Sequence, residues 1–290
     1  MYERAYSGNI VIASEGPSEA EIVTTPYGEI NSRSGARLNY VRSDAKLVFQ
    51  KWSDDDKIPK EASVYLENPS VDDVQNAIAN VSHALSGFDQ NHTGLDIYFA
   101  GHGRMTDGAW VLKDDVFSAE TLCKTMEENL TNGSGLRGVS MMMDSCYSGA
   151  FLIEFMIQIQ QSMNLDFRDG LFSSLPHEKS WEMSFLEHGA FTFTEMFPGN
   201  SYVNSELLTK AIEQNDHKII AKYLQGSVGM TSNPTAFLTQ GRQHPISVLK
   251  GDLLSIRGYG DYCVFEESMD EPINFSEVAI GLRQLVDRFQ

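Results

Sequence analysis

Two short apolar runs, each ending in glycines and small polar residues, constrain the fold of this chain more than any other feature. Residues 95–103 read LDIYFAGHG, and residues 139–149 read VSMMMDSCYSG. Apolar runs of this length that stop at glycine and small polar residues are typical of buried strands. His102 stands at the tip of the first predicted strand, and Cys146 stands at the tip of the second. Each strand therefore delivers one reactive side chain to its end.

The spacing of these two residues favours neighbouring strands. The 44 residues from His102 to Cys146 leave room for one crossover between adjacent parallel strands. Such strands end at the same edge of a sheet, where open α/β folds build their sites. A thiol beside an imidazole is the arrangement of a cysteine nucleophile and its general base. We therefore predict catalysis by Cys146 and His102, the alternative being a buried cysteine and a core histidine.

Strand and helix patterns alternate along most of the chain. Strands are predicted at 9–13 and 62–66, and helical periodicity of apolar residues covers 38–52 and 71–85. A helix is also predicted directly behind Cys146, at 150–161. This alternation predicts an α/β fold with a mostly parallel sheet and helices on both faces, which is a three-layer αβα sandwich.

Composition narrows the function classes. The net charge of −18 argues against a nucleic-acid-binding surface, because phosphate contacts need clustered Lys and Arg. No run approaches the roughly 18 apolar residues of a membrane span, and the first twenty residues lack the apolar core of a signal peptide. Three scattered cysteines form no disulfide framework and fit a reducing compartment. We expect a cytoplasmic protein with no nucleic-acid or membrane partner.

Two stretches resemble a known family. Residues 144–149, DSCYSG, resemble the Asp-x-Cys-x-Ser-Gly signature of metacaspases and of their bacterial relatives, the orthocaspases. The Tyr-Phe-x-Gly-His-Gly stretch at 98–103 is also similar to theirs, and Gly-x-Phe-Thr at 189–192 resembles a caspase-domain pattern. The resemblance extends from about Asn9 to Phe197. It implies a caspase-like cysteine peptidase fold.

The resemblance also implies a domain plan and a reaction. Residues 1–245 would form the peptidase domain, and residues 246–290 a C-terminal extension of unknown role. The activity would be that of a cysteine endopeptidase acting on a protein or peptide, with no cofactor for catalysis. The backbone N–H groups of Gly103 and Cys146 would form the oxyanion hole, and Gly103 would allow the close backbone approach.

Two aspartates are the predicted substrate-binding residues. Asp144 stands two residues before the nucleophile, where metacaspases have the aspartate of a pocket that takes Arg or Lys. Residues 38–45, LNYVRSDA, match the spacing of a second pocket motif and place Asp44 beside it. Two carboxylates would hold a guanidinium by bidentate charge-assisted bonds. The alternatives are a turn aspartate for Asp144 and a solvent-facing helix residue for Asp44.

Departures from the family pattern keep other functions open. Ala100 and Ser43 stand where metacaspases often have Ser and Asn. Residues 33–35, RSG, resemble the Arg-Thr-Gly of true caspases, so Arg33 could select an acidic residue instead. A third interpretation is a catalytically silent scaffold that binds partner proteins.

Control of the activity is expected but not specified. Bacterial relatives act in stress, cell-death and antiviral defence pathways, where a cytosolic protease needs processing, calcium or a regulatory partner. We predict a polar connection at 162–170, and we favour an uncut surface loop there over the alternative hypothesis of self-cleavage after Arg168. The acidic triplet at 54–56 lacks the alternating spacing of a calcium loop, and no metal site is predicted. His188, like the other histidines besides His102, is interpreted as a surface or core residue, and Cys123 as structural.

Overall fold

A seven-stranded sheet forms the centre of the computed structural model. The structure describes residues 6–16, 24–25, 28–29, 38–54, 58–88, 93–129, 138–161, 166–183, 187–196, 243, 245–249 and 252–256. The sheet strands are β1 (Tyr6–Ser14), β2 (Ser63–Glu67), β3 (Thr93–Gly101), β4 (Gly138–Ser145), β5 (Asp166–Phe172), β6 (Ile246–Leu249) and β7 (Asp252–Ile256). The strands predicted at 9–13 and 62–66 and those leading to His102 and Cys146 are all confirmed.

Most of the sheet is parallel. Its strand order is β7-β6-β5-β4-β3-β1-β2. The five strands from β2 to β5 in this order run parallel to their neighbours, whereas β6 pairs antiparallel with both β5 and β7. The predicted mostly parallel α/β sheet is therefore correct.

Helices cover both faces of the sheet, as predicted. They are α1 (Val41–Ser53), α2 (Val71–Leu85), α3 (Ala119–Asn129), α4 (Ser148–Gln161) and α5 (Ala190–Met196). Helices α2, α3 and α4 pack on one face around Ile97, Phe99 and Met143. Helices α1 and α5 pack on the other face around Val11, Tyr98 and Met142. Period-two alternation along each strand sends apolar side chains to both layers, which accounts for two separate cores.

Short elements complete the described part of the chain. A 3₁₀ turn spans Lys60–Ala62. Three antiparallel pairs of two-residue strands join Thr24–Thr25 with Gly28–Glu29, Trp110–Val111 with Val116–Phe117, and Glu182–Met183 with His188–Gly189. A capping box begins α2, with Asp73 N–H donating to Ser70 Oγ and Ser70 N–H donating to the Asp73 carboxylate.

An aromatic stack fixes the loop that follows β3. Trp110 is fully buried and its ring is stacked on those of Phe99, Phe117 and Phe151, with centroids 4.9, 5.4 and 5.3 Å away. Offset aromatic stacks add stabilisation beyond the area they bury. Because Gly103 and Trp110 form a backbone bridge, this stack holds the segment just after His102.

The order of the strands creates a crevice at one edge of the sheet. Strand β2 is the outermost strand and lies on one side of β1. The next strand in the chain, β3, lies on the other side of β1. The connections after β1 and β3 therefore leave in opposite directions, which is the switch point where open α/β sheets place their sites.

The predicted polar connection at 162–170 is wrong from residue 166 onward. Strand β5 begins at Asp166, and Arg168 is its bulge residue, because Phe167 pairs with Val139 and Asp169 with Ser140. The Arg168 guanidinium donates to the carbonyl oxygen of Thr93 at 2.8 Å. Arg168 is therefore part of the sheet, and the predicted cleavage loop does not extend to it.

The sheet crosses the domain boundary predicted at residue 245. Strands β6 and β7 lie beyond that residue and extend the sheet from β5. Just before them, the Gln243 amide donates to the Ser173 carbonyl and to Ser180 Oγ, and its oxygen accepts from Trp181 N–H. Residues 246–256 thus belong with the sheet, while 257–290 lie outside the described residues and their role stays a prediction.

A polar row crosses five strands at the amino-terminal part of the sheet. The residues of this row pair in register on the α1 face, and they are Ser63, Asn9, Asp96, Ser140 and Asp169. Ser63 donates to Asn9 Oδ1 at 2.6 Å, and Ser140 hydrogen-bonds with both Asp96 and Asp169. Burial and the Asp169 charge raise the pKa of Asp96 to about 6. Five neighbouring strands therefore place polar groups side by side, from the buried Asn9 to the exposed Asp169.

Candidate active site

The carboxyl ends of β3 and β4 bring the two predicted catalytic residues to one cavity. Gly101 and Ser145 are register partners, and His102 and Cys146 are the residues that directly follow them. Neighbouring strands lie about 4.8 Å apart, so the two residues leave the sheet side by side. Both line a cavity of about 460 Å³.

The turn at Cys146 is tight and depends on glycine. Tyr147 has a positive φ of 59°, which is uncommon for a residue with a side chain and marks local strain. A methyl group at Gly103 would overlap the carbonyl oxygen of Cys146, and one at Gly108 would overlap that of Tyr147. The loop after β3 can therefore approach the Cys146 turn only because it carries glycine at both positions.

Four buried serines hold the backbone on both sides of Cys146. Ser145 N–H donates to Ser173 Oγ at 3.1 Å, and that hydroxyl donates back to the Ser145 carbonyl at 3.0 Å. Ser148 N–H donates to Ser174 Oγ at 3.2 Å, and Ser174 N–H donates to Ser148 Oγ at 3.0 Å. These reciprocal bonds join the end of β4 and the start of α4 to the segment that follows β5. The position of Cys146 is thereby fixed from two sides.

The Cys146 thiol is half-buried and protonated at neutral pH. Burial raises its pKa, and the Asp144 charge acts in the same direction. The thiol donates to the Ser180 carbonyl at 3.8 Å, which favours the protonated form, whereas a backbone hydrogen bond from Ser180 and the charge of Lys179 act to lower the pKa. A thiol with a raised pKa needs a base to become a nucleophile, and an imidazole is the usual one.

The His102 ring lies over a glycine. Gly16, after β1, has a positive φ of 82°, and a Cβ there would stand 2.6 Å from His102 Cδ2. No other residue type fits this contact without displacing the ring. The loops after β1 and β3 thus meet at His102, next to the switch point between these two strands.

Three carboxylates form a second wall of the same cavity. We call Asp44, Asp144 and Glu182 the acidic wall, and His102, Gly103, Cys146 and Tyr147 the nucleophile wall. Asp44 comes from α1, Asp144 from β4, and Glu182 from the short strand at 182–183. Lys179 lies on the rim of this cavity as well.

Asp144 is surrounded by hydrogen-bond donors. Its side chain accepts from Ser180 Oγ, from Thr192 N–H at 3.1 Å and from Thr192 Oγ1 at 2.7 Å. Tyr98 Oη contacts Thr192 Oγ1 at 2.6 Å behind it. Burial raises the pKa of Asp144, whereas these donors lower it by favouring the ionised form. The donors hold the carboxylate in a fixed orientation toward the cavity.

Asp44 meets a histidine that the sequence did not assign to the site. Asp44 Oδ1 lies 2.6 Å from His188 Nδ1, and Asp44 Oδ2 accepts from Gly189 N–H at 2.9 Å. Burial and the nearby Asp144 raise the pKa of Asp44 well above its usual range. The alternative of a solvent-facing helix residue is wrong, because Asp44 is only 2% exposed. His188 is a buried residue, one of the two alternatives given for it, and its carboxylate partner lies far away in the sequence.

A glycine separates the two aspartates. A methyl group at Gly189 would overlap Asp144 Oδ2 and stand 3.0 Å from Asp44 Oδ2. Both carboxylates therefore lie against the same small volume, within reach of a single bound group.

Glu182 was also missed from the sequence. Its carboxylate accepts from the backbone N–H groups of Asn39 and Tyr40 at 3.0 and 2.9 Å, where α1 begins. Burial is the largest cause of a raised pKa for Glu182. Its partners are more than 140 residues away in the chain, so no local pattern marks it.

Several sequence-based predictions concern other parts of the molecule. Arg33 lies outside the described residues. Within the described ranges, no cluster of three or more His, Cys, Asp or Glu side chains is placed to hold a metal ion. Among the helices of the described segments, none has the length and apolar character to cross a bilayer. Calcium activation therefore stays a prediction.

Comparisons with known proteins give a likeness at the level of the backbone. No family model matches the chain, and no curated protein matches it. Among solved structures it is similar to caspase-1 from Spodoptera frugiperda, with 14% sequence identity and a TM-score of 0.44. The match covers 85% of this chain and 87% of that one. A likeness of this size assigns no role to any residue.

Proposed function

We propose that the chain is a cysteine endopeptidase that cleaves peptide bonds after basic residues, Arg before Lys. One observation carries the proposal. Cys146 and His102 follow paired residues of adjacent strands and line one cavity with Asp44, Asp144 and Glu182. A nucleophile, a base and a strongly acidic wall in one cavity suit the hydrolysis of a peptide bond beside a cationic side chain.

The reaction follows from these positions. His102 takes the thiol proton, and Cys146 Sγ attacks the carbonyl carbon of the scissile bond. The N–H groups of Gly103 and Cys146 stabilise the oxyanion that forms. The C–N bond breaks as His102 returns the proton to the leaving amine, and water then hydrolyses the thioester.

The acidic wall sets the preference for the residue before the cut. An ionised Asp144 beside Asp44 and Glu182 attracts a cation and repels a substrate carboxylate. Arg can pair with two carboxylates in planar bidentate fashion, whereas Lys offers a point charge. We therefore place Arg ahead of Lys. Control by processing, calcium or a regulatory partner, a role in bacterial stress or antiviral defence, and a cytoplasmic location accompany this proposal as predictions.

A peptide library tests the proposal directly. The full-length protein is incubated with the library, and the products are identified by mass spectrometry. We expect new carboxyl termini at Arg and, less often, at Lys. Cys146→Ala should give none. Cys123→Ala should match the wild type, because Cys123 lies in α3 and packs in the core between the sheet and helices α2, α3 and α4.

The alternatives give different results. Cleavage after Asp would favour the pocket governed by Arg33. No cleavage, together with no labelling by a thiol reagent carrying an arginine side chain, would favour the catalytically silent scaffold.

A further inference from the structure

The hydrogen bond between Asp44 and His188 can form in two protonation states of the pair. A protonated Asp44 donates its O–H to Nδ1, or an ionised Asp44 accepts an N–H from Nδ1. The distance of 2.6 Å suits either arrangement. The pair can therefore change its charge by one without losing its hydrogen bond.

Three carboxylates among the described residues act on this pair. Asp144 faces it from β4, Glu182 faces it from the strand at 182–183, and Glu187 directly precedes His188. The Tyr98 hydroxyl lies on the β3 side, behind Thr192. Lys179 is on the cavity rim and is exposed. No cation among the described residues forms an ion pair with Asp44 or Asp144 other than a protonated His188.

Burial makes an unpaired second negative charge costly in this place. Asp144 accepts three hydrogen bonds from Ser180 and Thr192, which favour its ionised form. Asp44 has one N–H donor, from Gly189, besides His188. Of two neighbouring buried carboxylates, the one with fewer donors is the one that keeps a proton. The raised pKa of Asp44 agrees with this assignment.

We propose that Asp44 and His188 together retain one extra proton while the pocket is empty, and that this proton leaves to solvent when a guanidinium or ammonium group binds. The neutral pair then becomes an ionised Asp44 beside a neutral His188, whose Nδ1–H donates to the carboxylate. The bound cation supplies the charge that the proton had supplied. This inference rests on the proposed preference for basic residues.

The proposal makes His188 a specificity-determining residue with a pH-dependent effect. Below the pKa of the pair, binding must displace a proton, so affinity for an arginine side chain falls about tenfold for each pH unit. Above that pKa the pair is already ionised and affinity becomes independent of pH. The effect falls on KM, because neither residue belongs to the nucleophile wall.

Proton release can be measured in a protein that binds without turnover. Full-length Cys146→Ala is titrated with argininamide by calorimetry in phosphate and in Tris, whose ionisation enthalpies differ. At a pH below the pKa of the pair, the difference between the two buffers should correspond to nearly one proton released per argininamide bound. Norleucinamide, which has no charged side chain, should show no such release.

Two further substitutions in the Cys146→Ala background assign the proton. Asp44→Asn should still bind argininamide, more weakly, and should release no proton. His188→Gln keeps a hydrogen-bond donor and an acceptor beside Asp44 but removes the imidazole as a proton site, so release should persist from Asp44 alone. Glu120→Gln is the control, because it removes an exposed carboxylate of α3 away from the cavity, and it should keep the release.

The failures of this experiment are distinguishable. Argininamide binding with equal heats in both buffers at every pH would overturn the proton-release proposal and leave the basic-residue preference standing. Release that survives unchanged in Asp44→Asn would also overturn it. Failure of argininamide to bind at any pH would contradict the proposed pocket itself, and the inference with it.

Discussion

The nucleophile wall and the acidic wall face the same cavity, but the chain builds them by different means. The nucleophile wall depends first on the register of two adjacent strands, since His102 and Cys146 are the next residues after a paired row. The acidic wall requires helix α1, strand β4 and the segment at 180–192 to meet. One wall is therefore specified locally and the other by packing across the whole domain.

This difference has consequences for function. The backbone of the nucleophile wall is held by bonds to buried serines, so its geometry changes little with pH. The acidic wall consists of titratable groups held by side-chain bonds, and its charge depends on the occupant and on pH. We expect substitutions in the first wall to remove the reaction and those in the second to change its selectivity.

The largest expected effect is that of Cys146→Ala. Loss of the nucleophile should lower kcat by on the order of 10⁴-fold or more, with KM little changed. Removing one sulfur from a half-buried turn should leave the thermal unfolding midpoint close to that of the wild type. Wild-type turnover in this variant would mean that the nucleophile wall is misassigned.

A smaller effect, confined to selectivity, is expected from Asp144→Asn. This substitution removes the charge that would pair with the buried guanidinium of the substrate. The loss of kcat/KM for arginine substrates should correspond to roughly 3–5 kcal/mol of transition-state stabilisation. Glu182→Gln should cost less, because Glu182 is less buried and is already bonded to two backbone N–H groups. Kinetics on matched Arg and norleucine substrates measures both. An equal loss on the two substrates would show that Asp144 supports the fold and not the selectivity.

The close approach of Gly103 to the Cys146 carbonyl predicts a third effect. A methyl group at Gly103 would overlap the Cys146 carbonyl, so Gly103→Ala should lower the free energy of unfolding by about 1–3 kcal/mol and displace the nucleophile. Gly87→Ala is the matched control, since a methyl group there would have no atom within 4 Å. Denaturant unfolding and peptide hydrolysis should separate the two variants.

The smallest effect concerns the pH dependence of alkylation. Because burial raises the pKa of Cys146, its thiolate fraction is small at neutral pH, and its rate with iodoacetamide should rise about tenfold per pH unit. Cys123, whose pKa burial raises to about 12, should stay unreactive in the folded protein. Peptide mapping after timed alkylation distinguishes the two thiols. A rate that is already constant from about pH 6 upward would contradict the protonated resting state.

Much of the nucleophile wall could be predicted from sequence because its signals are local. Apolar runs ending in glycine mark β3 and β4, and the loop glycines at 103 and 108 accompany them. The capping box of α2 could be predicted equally well, since Ser70 and Asp73 are three residues apart. Such signals can be recognised in the sequence without knowledge of the tertiary structure.

Residues whose environment is made by distant parts of the chain were missed or misinterpreted. His188 gave no sign of its partner, because Asp44 is 144 residues away. Strand β5 looked like a loop because Arg168 and Asp169 are polar, yet the arginine reaches across β4 to the Thr93 carbonyl in β3. Only the packed fold explains why these polar residues occur in a strand.

The sheet contains a polar row that helps to fix the register of its strands, formed by Ser63, Asn9, Asp96, Ser140 and Asp169. A slip of one residue would turn the side chains of a strand to the opposite face and leave a carboxyl or amide group facing an apolar helix layer. Asn9 is fully buried, so a misplaced Ser63 would leave the Asn9 side-chain oxygen without its donor. Parallel strands of similar apolar sequence are thereby prevented from pairing out of step, and Gly101 and Ser145 meet only in the alignment that sets His102 beside Cys146.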